Sequence, residues 1–191
     1  MTAYMPSELI GILMDIDEEA VLELGTSRRY SIVIVGGSAL MLSRLTSRNA
    51  THDIDYLRAD SALSGILDRH HQLSSQVQVY ADRLPQGFEG RLVRIPLDTE
   101  AIDYLCPSAE DLAVMKLYSW REQDQLDLLS TEMLKELDMD LLDRIVHSEN
   151  EAKAAALTPL LYRQMVETFD KEFKPRAEKR IRKLSKHWRL G

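Results

Sequence analysis

Two aspartates separated by one residue are the side chains in this sequence best suited to bind a metal. Asp53 and Asp55 flank Ile54 in a stretch, 52–57, that alternates polar and apolar residues like a half-buried strand. Residues i and i+2 of a strand share a face, so both carboxylates point the same way and repel unless a cation or proton lies between them. Mg²⁺ favours such oxygen ligands. The alternative is a solvated strand face with two exposed acids.

A pair of glycines, Gly36-Gly37, is the second candidate for chemistry. The β-branched run 31–35 before it predicts a buried strand, and residues 38–45 after it predict a helix. Glycine lets a backbone approach a phosphate closely, the start of the helix offers unpaired N–H groups, and Ser38 adds a hydroxyl. The alternative is that the glycines serve only the geometry of the turn.

Two further charged residues stand among apolar neighbours. Asp103, within the predicted strand 101–105, either faces solvent or supplies a third carboxylate to the same metal. Lys116 lies in an apolar segment and, if its helix is continuous, shares a face with Gln123 and Asp127 at about 100° per residue. It is either a cation for a triphosphate, oriented by an acidic partner, or a lysine whose stem covers apolar surface.

The elements that must position these residues follow a clear order. The patterns predict helices at 7–24 (capped by Ser7), 38–45 and 60–73, strands at 31–35, 52–57, 77–80, 92–97 and 101–105, and helices alone after Pro107. This order predicts an α/β (α+β) fold, a mixed β-sheet flanked by helices and followed by a C-terminal helical region. We expect a core domain at 1–107 and a helical region with a basic tail at 108–191.

Together these residues resemble the DNA polymerase beta-like nucleotidyltransferase superfamily, and in particular its AbiEii-type branch of bacterial toxin–antitoxin and phage-defence pairs. Residues 36–40 read Gly-Gly-Ser-Ala-Leu, as in that branch. Residues 48–55 read Arg-Asn-Ala-Thr-His-Asp-Ile-Asp, with one residue more between arginine and threonine than the branch has, which leaves Arg44 as a rival to Arg48. The third block contains Lys116, Arg121, Asp124 and Asp127, with Gln123 where the branch has an arginine.

The resemblance implies a transferase that moves a nucleoside monophosphate from a nucleoside triphosphate to an acceptor hydroxyl, with Mg²⁺ or Mn²⁺ as cofactor. The implied site comprises the metal ligands Asp53, Asp55 and Asp103, the phosphate-binding residues Gly36, Gly37 and Ser38, and the cation Lys116 near Asp127. Asp103 would also help to deprotonate the acceptor, which could be an RNA end, a protein or a small molecule. A cognate antitoxin or other partner protein is also implied.

A second hypothesis is a catalytically inactive partner or antitoxin with the same fold, which would act by protein–protein or RNA binding. The two departures from the motif, at Arg48 and at Gln123, keep this hypothesis open. Labelled triphosphates distinguish the two hypotheses, because only the enzyme transfers label in the presence of Mg²⁺.

Composition sets the limits of these interpretations. The chain has 191 residues, 45% hydrophobic and 29% charged, which excludes collagen-like, coiled-coil and disordered classes. Its single cysteine, Cys106, excludes an intramolecular disulfide and a Cys-rich zinc site. The N-terminal residues lack signal-peptide features and no long apolar run occurs, so we expect a cytoplasmic protein without a membrane span.

The charge of the chain is unevenly distributed. Residues 171–191 hold nine lysines and arginines and two glutamates, a local charge of +7, and the remaining 15 basic and 29 acidic residues give 1–170 a charge of −14. In a helix, Lys179, Arg182, Lys183 and Lys186 would share a face. That face could contact RNA phosphates, with Trp188 available to stack, or it could pair with the acidic body.

Overall fold

The computed structural model of the chain describes residues 3–75, 82–152 and 157–188. The chain divides into two compact units. The first comprises Met1–Arg44, Arg48–Ala81 and Gly90–Ser108, and the second comprises Leu45–Ser47, Asp82–Glu89 and Ala109–Gly191. No helix in the described ranges combines the length and the apolar character that a membrane crossing requires.

A mixed sheet forms the centre of the first unit, as the sequence predicts. Within the described residues its strands are β1 Tyr30–Ile34, β2 Ile54–Ala59, β3 Leu73–Ser74, β4 Val93–Arg94 and β5 Ile102–Cys106. Their order is β3-β2-β1-β5-β4. The central strand β1 runs antiparallel to β2 and parallel to β5, while β3 is parallel to β2 and β4 is antiparallel to β5.

The strands differ from the predicted ones mainly in length. The predicted strand 92–97 is reduced to Val93–Arg94. Pro96 has no amide hydrogen for a ladder, which limits pairing beyond the single bond from Ile95 N to Tyr104 O at 2.8 Å. The predicted strand 77–80 lies outside the described residues.

In its described residues the first unit contains three helices: α1 Pro6–Leu24, α2 Gly36–Leu42 and α3 Ser64–Leu67, the last preceded by a 3₁₀ turn, Ser61–Leu63. The predicted helix 60–73 is therefore much shorter than expected. The prediction that Ser7 caps α1 is wrong, because the helix already begins at Pro6, a residue that needs no amide donor in the first turn. The Glu8 carboxylate instead accepts the Met5 amide at 2.7 Å.

A buried carboxylate in α1 fixes the start of β5. Asp17, 3% exposed, accepts backbone N–H groups of Glu100, Ala101 and Ile102 at 2.8, 3.0 and 2.7 Å. Tyr104 donates its hydroxyl to the Leu13 carbonyl at 2.7 Å. These bonds tie α1 to the end of the sheet at which the parallel strands β1 and β5 begin.

The second unit is helical after Pro107, as predicted. Its helices are α4 Ala109–Leu117, α5 Glu122–Leu128, α6 Thr131–Glu136, α7 Met139–His147, α8 Glu149–Ala152, α9 Pro159–Thr168 and α10 Lys174–Trp188, with a π-helical turn, Phe169–Phe173, before α10. Side-chain oxygens of Ser130, Asp138 and Thr158 cap α6, α7 and α9.

Candidate active site

The end of β1 and the start of β2 bring the Gly-Gly turn against the aspartate pair. Val35 donates its amide to the Asp55 carbonyl at 2.9 Å. Gly36 has a φ of +72°, and a Cβ atom built on it would lie 2.7 Å from Asp55 Oδ2. Only glycine takes this backbone conformation readily and leaves room for that carboxylate.

The two aspartates differ in their exposure. Ile54 between them is fully buried, Asp55 is half-buried and Asp53 is exposed. Burial, together with the negative charge of Asp53, raises the pKa of Asp55 to about 6. The pair therefore has the electrostatic character of a site that gains from a cation.

Arg48, one of the two arginines that the sequence left as rivals, reaches the turn. A Cβ atom on Gly37 would lie 2.0 Å from Arg48 Nη1 and 3.6 Å from Thr51 Oγ1. The loop that carries Arg48 is held by a two-bond bridge, from Tyr4 N to Thr51 O at 2.6 Å and from Thr51 N to Tyr4 O at 3.0 Å. Arg44 lies just beyond the end of α2 and has a φ of +57°.

Ser38 lies inside the turn. Its side chain is 1% exposed, and its hydroxyl donates to the Val35 carbonyl at 3.1 Å. The structure thus gives the predicted phosphate-binding hydroxyl a backbone partner within its own turn.

Asp103 is not brought to the aspartate pair. It is in register with Ser31 on β1, whereas Asp55 pairs with Val35, four residues or about 13 Å further along that strand. Its carboxylate binds Arg29 Nε at 2.8 Å and Arg94 Nη2 at 3.1 Å. The expectation of a third carboxylate from this strand is corrected accordingly, and no three His, Cys, Asp or Glu in the described ranges form a metal-binding group.

In the second unit, Lys116 lies in a buried ionic cluster. Its Nζ is 2.8 Å from Asp124 Oδ1 and 2.8 Å from Asp127 Oδ2, the second an ionic contact without hydrogen-bond geometry. All three side chains are 6% exposed or less. The structure therefore brings Lys116 and Asp127 together, although the helix is not continuous: α4 ends at Leu117, and Trp120 has a φ of +44° before α5 begins.

Three neighbours complete this cluster, of which the sequence motif contains Arg121 and Gln123 but not Thr46. Arg121 Nε donates to Asp124 Oδ2 at 2.9 Å, and Asp127 Oδ1 accepts Thr46 Oγ1 at 2.8 Å and Gln123 Nε2 at 3.2 Å. Burial alone would raise the pKa of Asp124, but the hydrogen bond from Arg121 and the charge of Lys116 outweigh it and hold the pKa at about 2. Thr46 is distant in sequence from the others, so no local pattern could mark it.

A mixed sheet in which a Gly-Gly turn leaves one strand and an Asp-x-Asp pair opens its antiparallel neighbour is the arrangement expected of a nucleotidyltransferase. Residues 11–177 match the model of the family described as "Nucleotidyltransferase of unknown function (DUF6036)", and the chain belongs to this family. The predicted membership of the nucleotidyltransferases is thereby confirmed. No curated protein and no solved structure gives a significant match to the chain.

Proposed function

We propose that this chain is a metal-dependent nucleotidyltransferase, which moves a nucleoside monophosphate from a nucleoside triphosphate to an acceptor hydroxyl. The observation that carries the proposal is the contact of Gly36 with Asp55 beside Asp53. This contact places a glycine turn without side chains directly beside a carboxylate pair that would be stabilised by a cation.

Asp53 and Asp55 are the residues that would hold Mg²⁺ or Mn²⁺. Burial, and after it the charge of Asp53, raises the pKa of Asp55, so a cation beside the pair would stabilise its charged form. Oxygen ligands suit these ions. Two carboxylates suffice for such a site, because Mg²⁺ commonly takes its other ligands from water and substrate phosphates. When bound, the cation would supply positive charge to the triphosphate during phosphoryl displacement.

The turn residues would position the triphosphate. Because Gly36 and Gly37 have no side chains, the Asp55 carboxylate and the Arg48 guanidinium can lie close to the backbone of the turn. A guanidinium recognises phosphate oxygens with two parallel donors, which makes Arg48 the proposed phosphate ligand of this unit. For Ser38 we propose a contribution through its backbone, since its hydroxyl is engaged with Val35.

We propose that the main role of Lys116 and Asp127 is to position α4 and α5, and that contact with the triphosphate is secondary. Two carboxylates already neutralise the ammonium, and the side chain is 6% exposed. Removing the lysine would leave two buried carboxylates without their cation. The cluster therefore serves first to join α4 to α5.

The AbiEii-type interpretation remains part of the proposal, with a toxin of a toxin–antitoxin pair as the cellular role and a cognate antitoxin as partner. Both departures from the branch pattern are accommodated in the structure, which favours an active enzyme over an inactive partner protein. Arg48 reaches Gly37 despite the extra residue, and Arg121 binds Asp124 although position 123 is Gln.

The test is transfer of label from α-³²P nucleoside triphosphates, each supplied with Mg²⁺, to total RNA, to protein and to the chain itself. We expect transfer by the wild type and a loss of at least a hundredfold in Asp53→Asn and in Asp55→Asn. Asp68→Asn is the matched control, since it removes the same charge from an exposed position in the same unit. Transfer that persists in both site variants would contradict the assignment.

A further inference from the structure

A cavity of about 440 Å³ in the second unit is lined mainly by cations. One wall is Leu129, which follows α5, and the other is formed by five residues of α10: Arg176, Lys179, Arg180, Lys183 and Leu184. A cavity of this volume is large enough for a nucleotide-sized group.

The four cations form one row along α10. Positions 176, 179, 180 and 183 have the spacing i, i+3, i+4 and i+7, which places them on one face over about 10 Å. Phe173 and Ala177, both fully buried, anchor the beginning of the helix and so fix the direction in which this row faces.

Other cations of the C-terminal segment are paired with carboxylates. Lys171 binds Glu167, Lys174 binds Asp143, and Arg182 binds Glu178 at 3.6 Å. Arg182, one of the four residues of the face predicted from sequence, is thus paired with Glu178. The side chains of Lys186 and Trp188 lie outside the described part of the structure.

Three of the four cations in the cavity have a different environment. Arg176 donates to the neutral Gln125 Oε1 at 2.9 Å, and no carboxylate in the described ranges pairs with Arg176, Lys179 or Arg180. All four residues of the row are exposed. In a chain with a net charge of −7, the row is a local concentration of positive charge.

We propose that this cavity binds the phosphate backbone of a single-stranded nucleic acid. A row of cations about 10 Å long suits consecutive phosphates, and arginine forks match phosphate oxygens. Leu129 and Leu184 give the cavity apolar walls, against which a ribose or base can pack, and guanidinium planes stack on bases. A run of acidic side chains would use the charges alone, whereas every nucleotide of a single strand carries both a phosphate and a base that can pack or stack.

The experiment is fluorescence anisotropy of the full chain with a labelled oligouridylate of about 12 nucleotides, without divalent metal and without triphosphate. The test variant is the double substitution Lys179→Gln and Arg180→Gln. The matched control is Lys171→Gln with Arg182→Gln, two exposed cations of the same segment that lie off the cavity.

We expect the cavity variant to bind at least tenfold more weakly and the control to change less than threefold. The slope of log K against log salt should fall in magnitude by about 1.4 in the cavity variant, since each lost phosphate contact on a single strand contributes about 0.7. Equal weakening in both variants, or no binding by the wild type, overturns the proposal. Should the double variant fail to fold, Lys183→Gln carries the same expectation with a slope change of about 0.7.

Competition separates the possible sources of anionic groups. Unlabelled oligonucleotide should displace the probe at far lower concentration than tripolyphosphate or polyglutamate at equal charge. Equally good displacement by tripolyphosphate would assign the cavity to a small polyphosphate. Equally good displacement by polyglutamate would assign it to an acidic protein. Either result overturns the proposal. Asp53→Asn should bind the probe like the wild type, so a failure of the proposed catalytic site is distinguishable from a failure of this one.

Discussion

Gly36 and Asp55 face each other where β1 ends and β2 begins, so closely that a Cβ atom at position 36 would lie 2.7 Å from Asp55 Oδ2. The Val35 amide holds the Asp55 carbonyl at 2.9 Å, so the backbones of the two segments are fixed beside each other. A glycine with a positive φ is therefore required here on two independent grounds, conformation and space.

We expect Gly36→Ala to lower the free energy of unfolding by about 2 kcal/mol, because a Cβ atom is disfavoured at a φ of +72° and also meets the carboxylate. Metal-dependent nucleotide binding should be lost as well, since Asp55 must move. Urea unfolding and isothermal calorimetry measure the two effects.

Gly11→Ala is the control for this substitution. Gly11 lies within α1 and has open space around it, so alanine should leave stability unchanged or raise it by up to about 1 kcal/mol. A Gly36→Ala variant as stable and as active as Gly11→Ala would contradict the proposed contact.

Gly37 and Arg48 provide a second prediction. A Cβ atom on Gly37 would meet the far end of the Arg48 side chain, which can move, so Gly37→Ala should cost less than about 1 kcal/mol of stability. It should nevertheless weaken triphosphate binding, because the guanidinium is displaced from the turn. Arg48→Met should weaken binding to a similar extent, and the double variant should be no worse than either single variant. Additive losses in calorimetry would mean that Gly37 and Arg48 act separately.

The sequence predicts the parts of this molecule that depend on local pattern. The strand-end glycines, the Asp-x-Asp spacing and the helical second half are all readable from neighbouring residues. The placement of Arg48 beside Gly37 is not, because it depends on a loop held by Tyr4, more than forty residues away. The position of Asp103 is set by the register of β5 against β1, and a pattern of alternating residues does not determine register.

Lys116 illustrates the opposite case, in which a contact is predicted correctly from an incorrect helix. The sequence pairs it with Asp127 on one continuous helix, whereas two helices and a residue with positive φ bring the pair together. A methionine at position 116 would have a volume similar to that of the lysine stem, but it would not supply the positive charge.

We now expect Lys116→Met to destabilise the chain by about 3–5 kcal/mol, because Asp124 and Asp127 would stay buried without their cation. Urea unfolding measures the loss. Adding Asp124→Asn and Asp127→Asn to Lys116→Met should recover part of it, since the carboxylate charges are then removed together. A stable Lys116→Met variant that is impaired only in triphosphate binding would instead favour a direct role of the lysine.

Asp124 gives the cluster a defined dependence on pH. Its pKa is lowered from 3.8 to about 2 in the folded chain, with burial opposing and Arg121 and Lys116 favouring the charged form. A group with a lowered folded-state pKa binds protons more readily when unfolded, so its stabilising contribution is complete above about pH 4 and is lost as pH falls towards 2.

The charge of Asp124 contributes about 2 kcal/mol to the free energy of unfolding. The contribution should be visible as the difference between wild type and Asp124→Asn in urea unfolding between pH 5 and pH 2. Asp124→Asn should be less stable than the wild type at pH 5. The difference in the free energy of unfolding should narrow as pH falls, because only the wild type loses the stabilisation that the charged Asp124 provides. Asp68→Asn, at an exposed position, should follow the wild type throughout. A constant gap between wild type and Asp124→Asn from pH 5 to pH 2 would mean that the Asp124 carboxylate owes its place in the cluster to packing rather than to its charge.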